Sequence, residues 1–177
     1  AKEIDYPKGL GYALKNEGFV YNIRGNYVEA LNKWKESLRV FEEDSILVGV
    51  SNMLSNIGVV YYNRSLEDSA LEYYLKSLKV SEQIKDTFRI ATALTNVGGV
   101  YSNKPATIDK SIEYQQKALF FSNASHDTDI IGTSNANLGE CYVTKAREEL
   151  KDTTKFLEAK VHLDSALFYL MKAREFY

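Results

Sequence analysis

The stretch Leu54-Ser-Asn-Ile-Gly-Val-Val-Tyr61 decides how this chain reads, because its pattern occurs four times. In register with it stand Leu14-Lys-Asn-Glu-Gly-Phe-Val-Tyr21, Leu94-Thr-Asn-Val-Gly-Gly-Val-Tyr101 and Asn135-Ala-Asn-Leu-Gly-Glu-Cys-Tyr142. The glycines fall at 18, 58, 98 and 139 and the tyrosines at 21, 61, 101 and 142, giving spacings of 40, 40 and 41. A fixed period of this size marks a repeat architecture in which each unit is one supersecondary element. Every block is followed by a second: Glu29-Ala30-Leu31, Ser69-Ala70-Leu71, Lys110-Ser111-Ile112 and Ser165-Ala166-Leu167. These open runs, such as Ala70 to Leu78, that are apolar at helical spacing.

The physical reading is one helical hairpin per repeat. Leu14, Gly18 and Tyr21 sit at i, i+4 and i+7, so they share a helix face. A glycine inside a helix costs about 1 kcal/mol relative to alanine, and four in register require a reason. Close approach of the paired helix supplies one, with the small residues Ala30, Ala70, Ser111 and Ala166 expected to meet the glycines. One hairpin buries only one face by itself, so stability must come from stacked neighbours. The expected class is all-α, with eight helices near 7–23, 27–43, 46–62, 66–84, 87–103, 108–123, 128–149 and 154–176. They form four repeats, 7–43, 46–84, 87–123 and 128–176, in a single array over 1–177. Asp44, Asp86 and Asp127 precede first helices as candidate N-caps. Ser65 with Asp68 resembles a capping box, and Thr107 follows a turn marked by Pro105. Ala1-Lys2-Glu3-Ile4 reads as the tail of a helix, and Leu170 to Tyr177 as helix without a stop signal. The expectation is a fragment of a longer protein.

Composition narrows the functions. Of 177 residues, 45% are hydrophobic and 26% charged, enough apolar material for a core. The net charge is −2, with Lys and Arg interleaved among Asp and Glu, so no basic patch suggests nucleic acid. No run of about 18 apolar residues suggests a membrane span, and no signal-peptide pattern opens the chain. The single cysteine, Cys141, excludes an internal disulfide without fixing the compartment, a cytoplasmic site being favoured over a periplasmic one. His126 and His162 show no metal-ligand spacing with Cys141, and the glycines sit inside helices instead of in a phosphate-binding loop. No cofactor and no catalytic role are expected.

The Leu-x2-x-Gly-x2-Tyr block followed by an Ala-Leu block, repeated over nearly the whole chain, resembles the tetratricopeptide repeat (TPR) family in a variant with a period near 40. Departures are Glu17 in repeat one, Asn135 in place of the first Leu in repeat four, and the absent proline at the end of the second helix. The resemblance implies a right-handed superhelical α-solenoid. It also implies a groove, lined by the first helices, that binds peptides or protein partners without catalysis. Arrays of this type resemble those attached to bacterial signalling and regulatory proteins.

Asn16, Asn56, Asn96 and Asn137 each lie two residues before the repeat glycine. Two residues turn a helix by about 200°, so these side chains point away from the intra-repeat packing face, toward the concave side. Hairpins stack about 10 Å apart and an extended peptide rises about 3.3 Å per residue, so one asparagine meets about every third peptide residue. An amide side chain offers one acceptor and two donors, matching a peptide backbone regardless of sequence. Such a ladder resembles those of peptide-binding members such as kinesin light chains; bonding to neighbouring helices is the alternative role. Flanking positions on this face include Tyr12, Phe19, Asn52, Val59, Asn63, Thr92, Asn103, Thr133 and Glu140, with only Lys15 and Glu140 charged. Clamping a terminal carboxylate would need several cations, so that ligand class is disfavoured. Tyr12 and Phe19 read either as an apolar anchor or as surface covered by a preceding repeat.

Repeat four has 27 residues between Gly139 and Ala166, against 12 between Gly18 and Ala30. The extra segment, near 145–162, is expected to extend both helices by about two turns, breaking near Asp152-Thr153-Thr154, with Leu150, Phe156, Leu157 and Val161 zipping the extension together. It reads as a partner contact or as a surface extension. The leading function is a peptide- or protein-binding scaffold in a signalling protein. The alternative is a structural module that self-associates or spaces attached domains.

Overall fold

In a computed structural model the described residues run from 6 to 176, with side chains described from Lys8 onward. The helix tail expected at 1–4 lies outside them. Eight α-helices follow in order: α1 Tyr6–Ile23, α2 Tyr27–Glu43, α3 Leu47–Asn63, α4 Glu67–Gln83, α5 Thr87–Ser102, α6 Ile108–Ser125, α7 Thr128–Glu149 and α8 Phe156–Arg174. Short 3-10 turns, Pro105–Thr107 and Thr153–Lys155, lead into α6 and α8. Among the described residues all regular structure is helical, and the boundaries match expectation within about two residues.

The chain divides into two compact units, Ala1–Arg89 and Ile90–Tyr177, the division falling in the first turn of α5. In the first unit, α1 pairs with α2 and α3 with α4, and Trp34, Phe41, Met53, Ile57 and Val60 form a buried core. In the second, α7 pairs with α8, and α6 packs on α7 through Ile108, Ile112, Leu138 and Cys141. The α5–α6 hairpin is tied by the Ser111 hydroxyl donating to Gly98 O at 2.8 Å and by Gln115 Nε2 donating to Thr95 O at 3.1 Å.

The repeat glycines permit close approach, but their principal partner is not the small residue expected. A Cβ on Gly18, Gly58, Gly98 or Gly139 would collide with Trp34, Tyr74, Gln115 or Leu170, the side chain one turn beyond Ala30, Ala70, Ser111 or Ala166. The helix backbone thus leaves a notch that a large side chain from the second helix fills. Trp34 Nε1 donates from that notch to Lys15 O at 3.0 Å, the carbonyl equivalent to Thr95 O. Three of the four repeat tyrosines stack on a tyrosine of the second helix: Tyr61 on Tyr73 at 5.4 Å, Tyr101 on Tyr114 at 5.6 Å and Tyr142 on Tyr169 at 5.6 Å.

Capping follows the sequence only in part. Asp127 caps α7, accepting from Ile130 N at 2.8 Å, and Asp86 accepts from Arg89 N at 3.0 Å. Asp44 instead ends α2, and Ile46, which has no capping side chain, holds the N-cap position of α3. Ser65 is a left-handed turn residue (φ 58°), and Leu66 holds the N-cap position of α4, also without a side-chain cap. Ser45, Lys85, His126 and Gly25 occupy the same left-handed turn at their own hairpin and repeat junctions. The backbone there bonds across the turn, as when Leu66 N donates to Tyr61 O at 2.9 Å, which takes over part of a cap's task.

The insertion lengthens α7 to 22 residues, against 17 in α3 and 16 in α5. Asp152 receives the Thr154 amide at 3.0 Å and starts the return, as expected. The zipper is different. Leu150, Phe156, Leu157 and Val161 are all exposed, and the residues buried along this stretch of α7 and α8 are Ala146 and Ala159. His162 supports it, with Nδ1 2.6 Å from Glu149 Oε2 and its ring stacked on Tyr142. Small residues let the helices come close enough to exclude the larger ones.

Candidate functional site

The face of the first helices turned away from the glycine notches carries the four asparagines. Asn16 is exposed on α1, while Asn56, Asn96 and Asn137 are half-buried on α3, α5 and α7. Among the described residues none hydrogen-bonds the side-chain amides of Asn16, Asn56 or Asn137. Asn135, two residues before Asn137, is buried and donates to Ile131 O at 2.8 Å, which satisfies an amide where other repeats carry leucine.

In the first unit, Tyr12 stands edge-on to Phe41 at 5.1 Å and Phe19 edge-on to Trp34 at 5.4 Å. Both are braced by α2, and Phe19 remains exposed. Val59 is half-buried and Asn63 exposed at the end of α3. Asn52 is engaged: its Oδ1 accepts from Arg89 Nε at 3.1 Å, and Arg89 also pairs with Asp86. Arg89 is therefore a cation beside the expected groove residues that sequence reasoning missed. The Asp86–Arg89 spacing at the start of α5 was its signal. A single guanidinium already neutralised by a carboxylate is not a clamp for a terminal carboxylate.

In the second unit, Thr92 and Asn96 of α5 and Thr133 of α7 come together around an open pocket of about 220 Å³ whose lining also includes Thr95, Asp129 and Ile130. Asn137 and Glu140 share a smaller pocket of about 80 Å³ with Ser102 and Thr144. Asn103 falls one residue past the end of α5, outside the helix face on which it was placed. Thr95 bridges the helices, its hydroxyl donating to Ala91 O at 3.0 Å and lying 3.4 Å from Ser134 Oγ.

Other chemistry is sparse here. Cys141 is buried 3.1 Å from Ser111 Oγ, and burial pushes its thiol up, away from the reactive thiolate. Among the described residues no three His, Cys, Asp or Glu side chains gather as a metal site, and no helix is long and apolar enough to cross a membrane.

Solved structures share this arrangement. BtubC from P. vanneervenii superposes with a TM-score of 0.75 at 17% identity, over 99% of this chain and 66% of its own, so the chain spans just under two thirds of that protein. The TPR-like repeats of a kinesin light chain from Podosopora anserina give 0.66 at 10% identity, covering 98% and 97%. The fold is of the TPR type. The TPR2AB domain of yeast Sti1, solved in a complex with pHSP90, gives 0.55 at 16% identity, covering 95% and 78%. No family model and no curated protein matches the sequence. The TPR likeness bears out the repeat reading of the glycine and tyrosine blocks, and at these identities it speaks for the fold alone.

Proposed function

We propose that this TPR-type chain is a non-catalytic scaffold that holds an extended polypeptide. In this reading Asn16, Asn56, Asn96 and Asn137 grip the peptide backbone, and the chain is the sensory or regulatory part of a larger signalling protein. The observation that carries the reading is the state of the amides: those of Asn16, Asn56 and Asn137 make no bond to a described residue, so their donors and acceptors remain for a ligand. The pocket beside Asn96 supports it, since a threonine- and isoleucine-lined recess of about 220 Å³ is sized for one peptide side chain. The similarly folded Sti1 domain, solved in a complex with pHSP90, supports a polypeptide as the partner class.

The test is a peptide-library pull-down with the chain and with its Asn56→Ala/Asn96→Ala variant. Loss of the bound peptides in the variant is expected, because an alanine at either position leaves the facing peptide backbone groups unpaired. Binding that survives both substitutions would sink the ladder.

A further inference from the structure

The recess between α5 and α7 reads as polar in sequence and is apolar in the structure. Of its lining residues, Thr92, Thr95, Asn96 and Thr133 carry a hydroxyl or an amide, and Ile130 is aliphatic. Yet the Thr95 hydroxyl donates to Ala91 O at 3.0 Å and that of Thr133 to Asp129 O at 2.7 Å. Both bonds reach back one turn along the residue's own helix, as threonine hydroxyls inside helices do. Each hydroxyl is thereby turned toward its own backbone, and the methyl group is left as the outward part of the side chain. The wall that solvent touches is nearly all carbon. At about 220 Å³ the recess exceeds the roughly 150 Å³ of a cavity that holds a benzene molecule, so it has room for a whole side chain.

The same place in the first unit is built differently. Counted from the repeat glycines, Thr92, Thr95 and Thr133 correspond to Tyr12, Lys15 and Asn52, and Ile130 to Gly49. There Lys15 Nζ lies 5.4 Å from the centre of the Tyr12 ring, and Asn52 accepts from Arg89. Cationic and amide groups thus stand where the second unit presents methyl groups. The difference matters for register. Amide side chains that grip a backbone accept any sequence, and an extended chain shifted by two residues offers the same groups to the same face. A ladder alone therefore leaves the bound chain able to slide. One side chain seated beside Asn96, which lines this recess, removes that freedom.

We propose that the recess of Thr92, Thr95, Ile130 and Thr133 is an anchor subsite that seats one aliphatic side chain (leucine, isoleucine, valine or methionine) of the held polypeptide and so fixes its register. This rests on the peptide-binding role proposed above. The chemistry of the wall sets the class of guest. A polar side chain would leave water and meet no available donor on Thr95 or Thr133, whose hydroxyl protons go to the helix. Asp129, exposed in the first turn of α7, puts a negative charge at the rim and acts against an acidic guest. No aromatic side chain is among the described lining residues, so a ring gains no ring–ring contact there. Methyl groups against an aliphatic side chain remain as the matched pair.

A library of random dodecapeptides, selected on the 177-residue chain and sequenced, tests the subsite. The enriched peptides should share one aliphatic position, and replacing that residue by alanine should weaken binding about 10-fold. Thr133→Phe, which fills the recess, should weaken the parent peptide by a similar factor, and the alanine peptide should then lose nothing further. Thr133→Val keeps a methyl group and removes the hydroxyl, so the aliphatic preference should persist. Enrichment of aromatic, basic or acidic residues, no shared position, or a preference that survives Thr133→Phe overturns the anchor and leaves the ladder standing. Binding that survives Asn56→Ala with Asn96→Ala, yet loses its aliphatic preference with Thr133→Phe, removes the ladder and upholds the anchor. A chain that enriches no peptide overturns both.

Discussion

Gly58 is the residue at which the fold is most simply tested. A methyl group there would stand 2.6 Å from the ring of Tyr74, which is buried and has nowhere to retreat. Overpacking costs about 1–3 kcal/mol, against about 1 kcal/mol gained by replacing a helical glycine. Gly58→Ala should therefore lower stability by up to about 2 kcal/mol, read from the urea midpoint; a variant more stable than the parent would mean that the ring moves aside. Cys141 makes a second test at this scale. Its folded pKa is raised first by burial, although the Ser111 bond pulls the other way. The folded state therefore disfavours the thiolate, and stability is lost as pH rises through the folded value. A thiol reagent at mildly alkaline pH should react slowly with native protein and at once in denaturant. Fast native labelling would contradict the burial.

Among the elements, the turns between helices carry a repeated strain. Ser65 holds φ 58° where only Gly25, among the five equivalent residues, has the side-chain freedom for it. A non-glycine residue in this region costs about 1–2 kcal/mol. Ser65→Gly removes most of that but loosens the unfolded chain, so a gain of up to about 1 kcal/mol is expected in thermal unfolding. The α7–α8 loop offers a pH readout. The hydroxyl and amide of Thr154 both bond to Asp152 and hold its carboxyl below the usual carboxylate value. A lowered folded pKa means that the stabilisation is present above the unfolded value and is lost as pH falls through the folded one. Protection of the Thr154 amide, its exchange measured against the intrinsic rate at the same pH, should fall only on that acid side, and Asp152→Asn should abolish that change in protection.

For the molecule as a whole, a net charge of −2 and a candidate face carrying few unpaired charges imply recognition without electrostatic steering. Peptide binding should change less than about 3-fold between 50 and 500 mM salt, since screening acts mainly on exposed charges. A steep salt dependence would point instead to Arg89 or Lys15 as the principal contacts. Asn16→Ala with Asn56→Ala should leave stability within about 0.5 kcal/mol, as for surface changes generally, while reducing binding. That separation of stability from binding distinguishes a ligand-facing amide from a structural one.

The number, order and limits of the helices were legible in the sequence because they rest on periodicity and on local signals such as Asp127, which act within a few residues. So was the side of each first helix that bears an asparagine, since helix geometry alone sets it. What the sequence left open depended on side chains distant along the chain. The notch at Gly18 could be read, but its filling by Trp34 and not Ala30 is a matter of how two helices cross. The Asp86–Arg89 spacing marks a paired cation at the start of α5, but that Arg89 reaches Asn52 across 37 residues of sequence is set by how the helices pack. The exposure of Phe156, Leu157 and Val161 was decided by Ala146 and Ala159, whose small size brings α7 and α8 together and leaves the larger side chains outside.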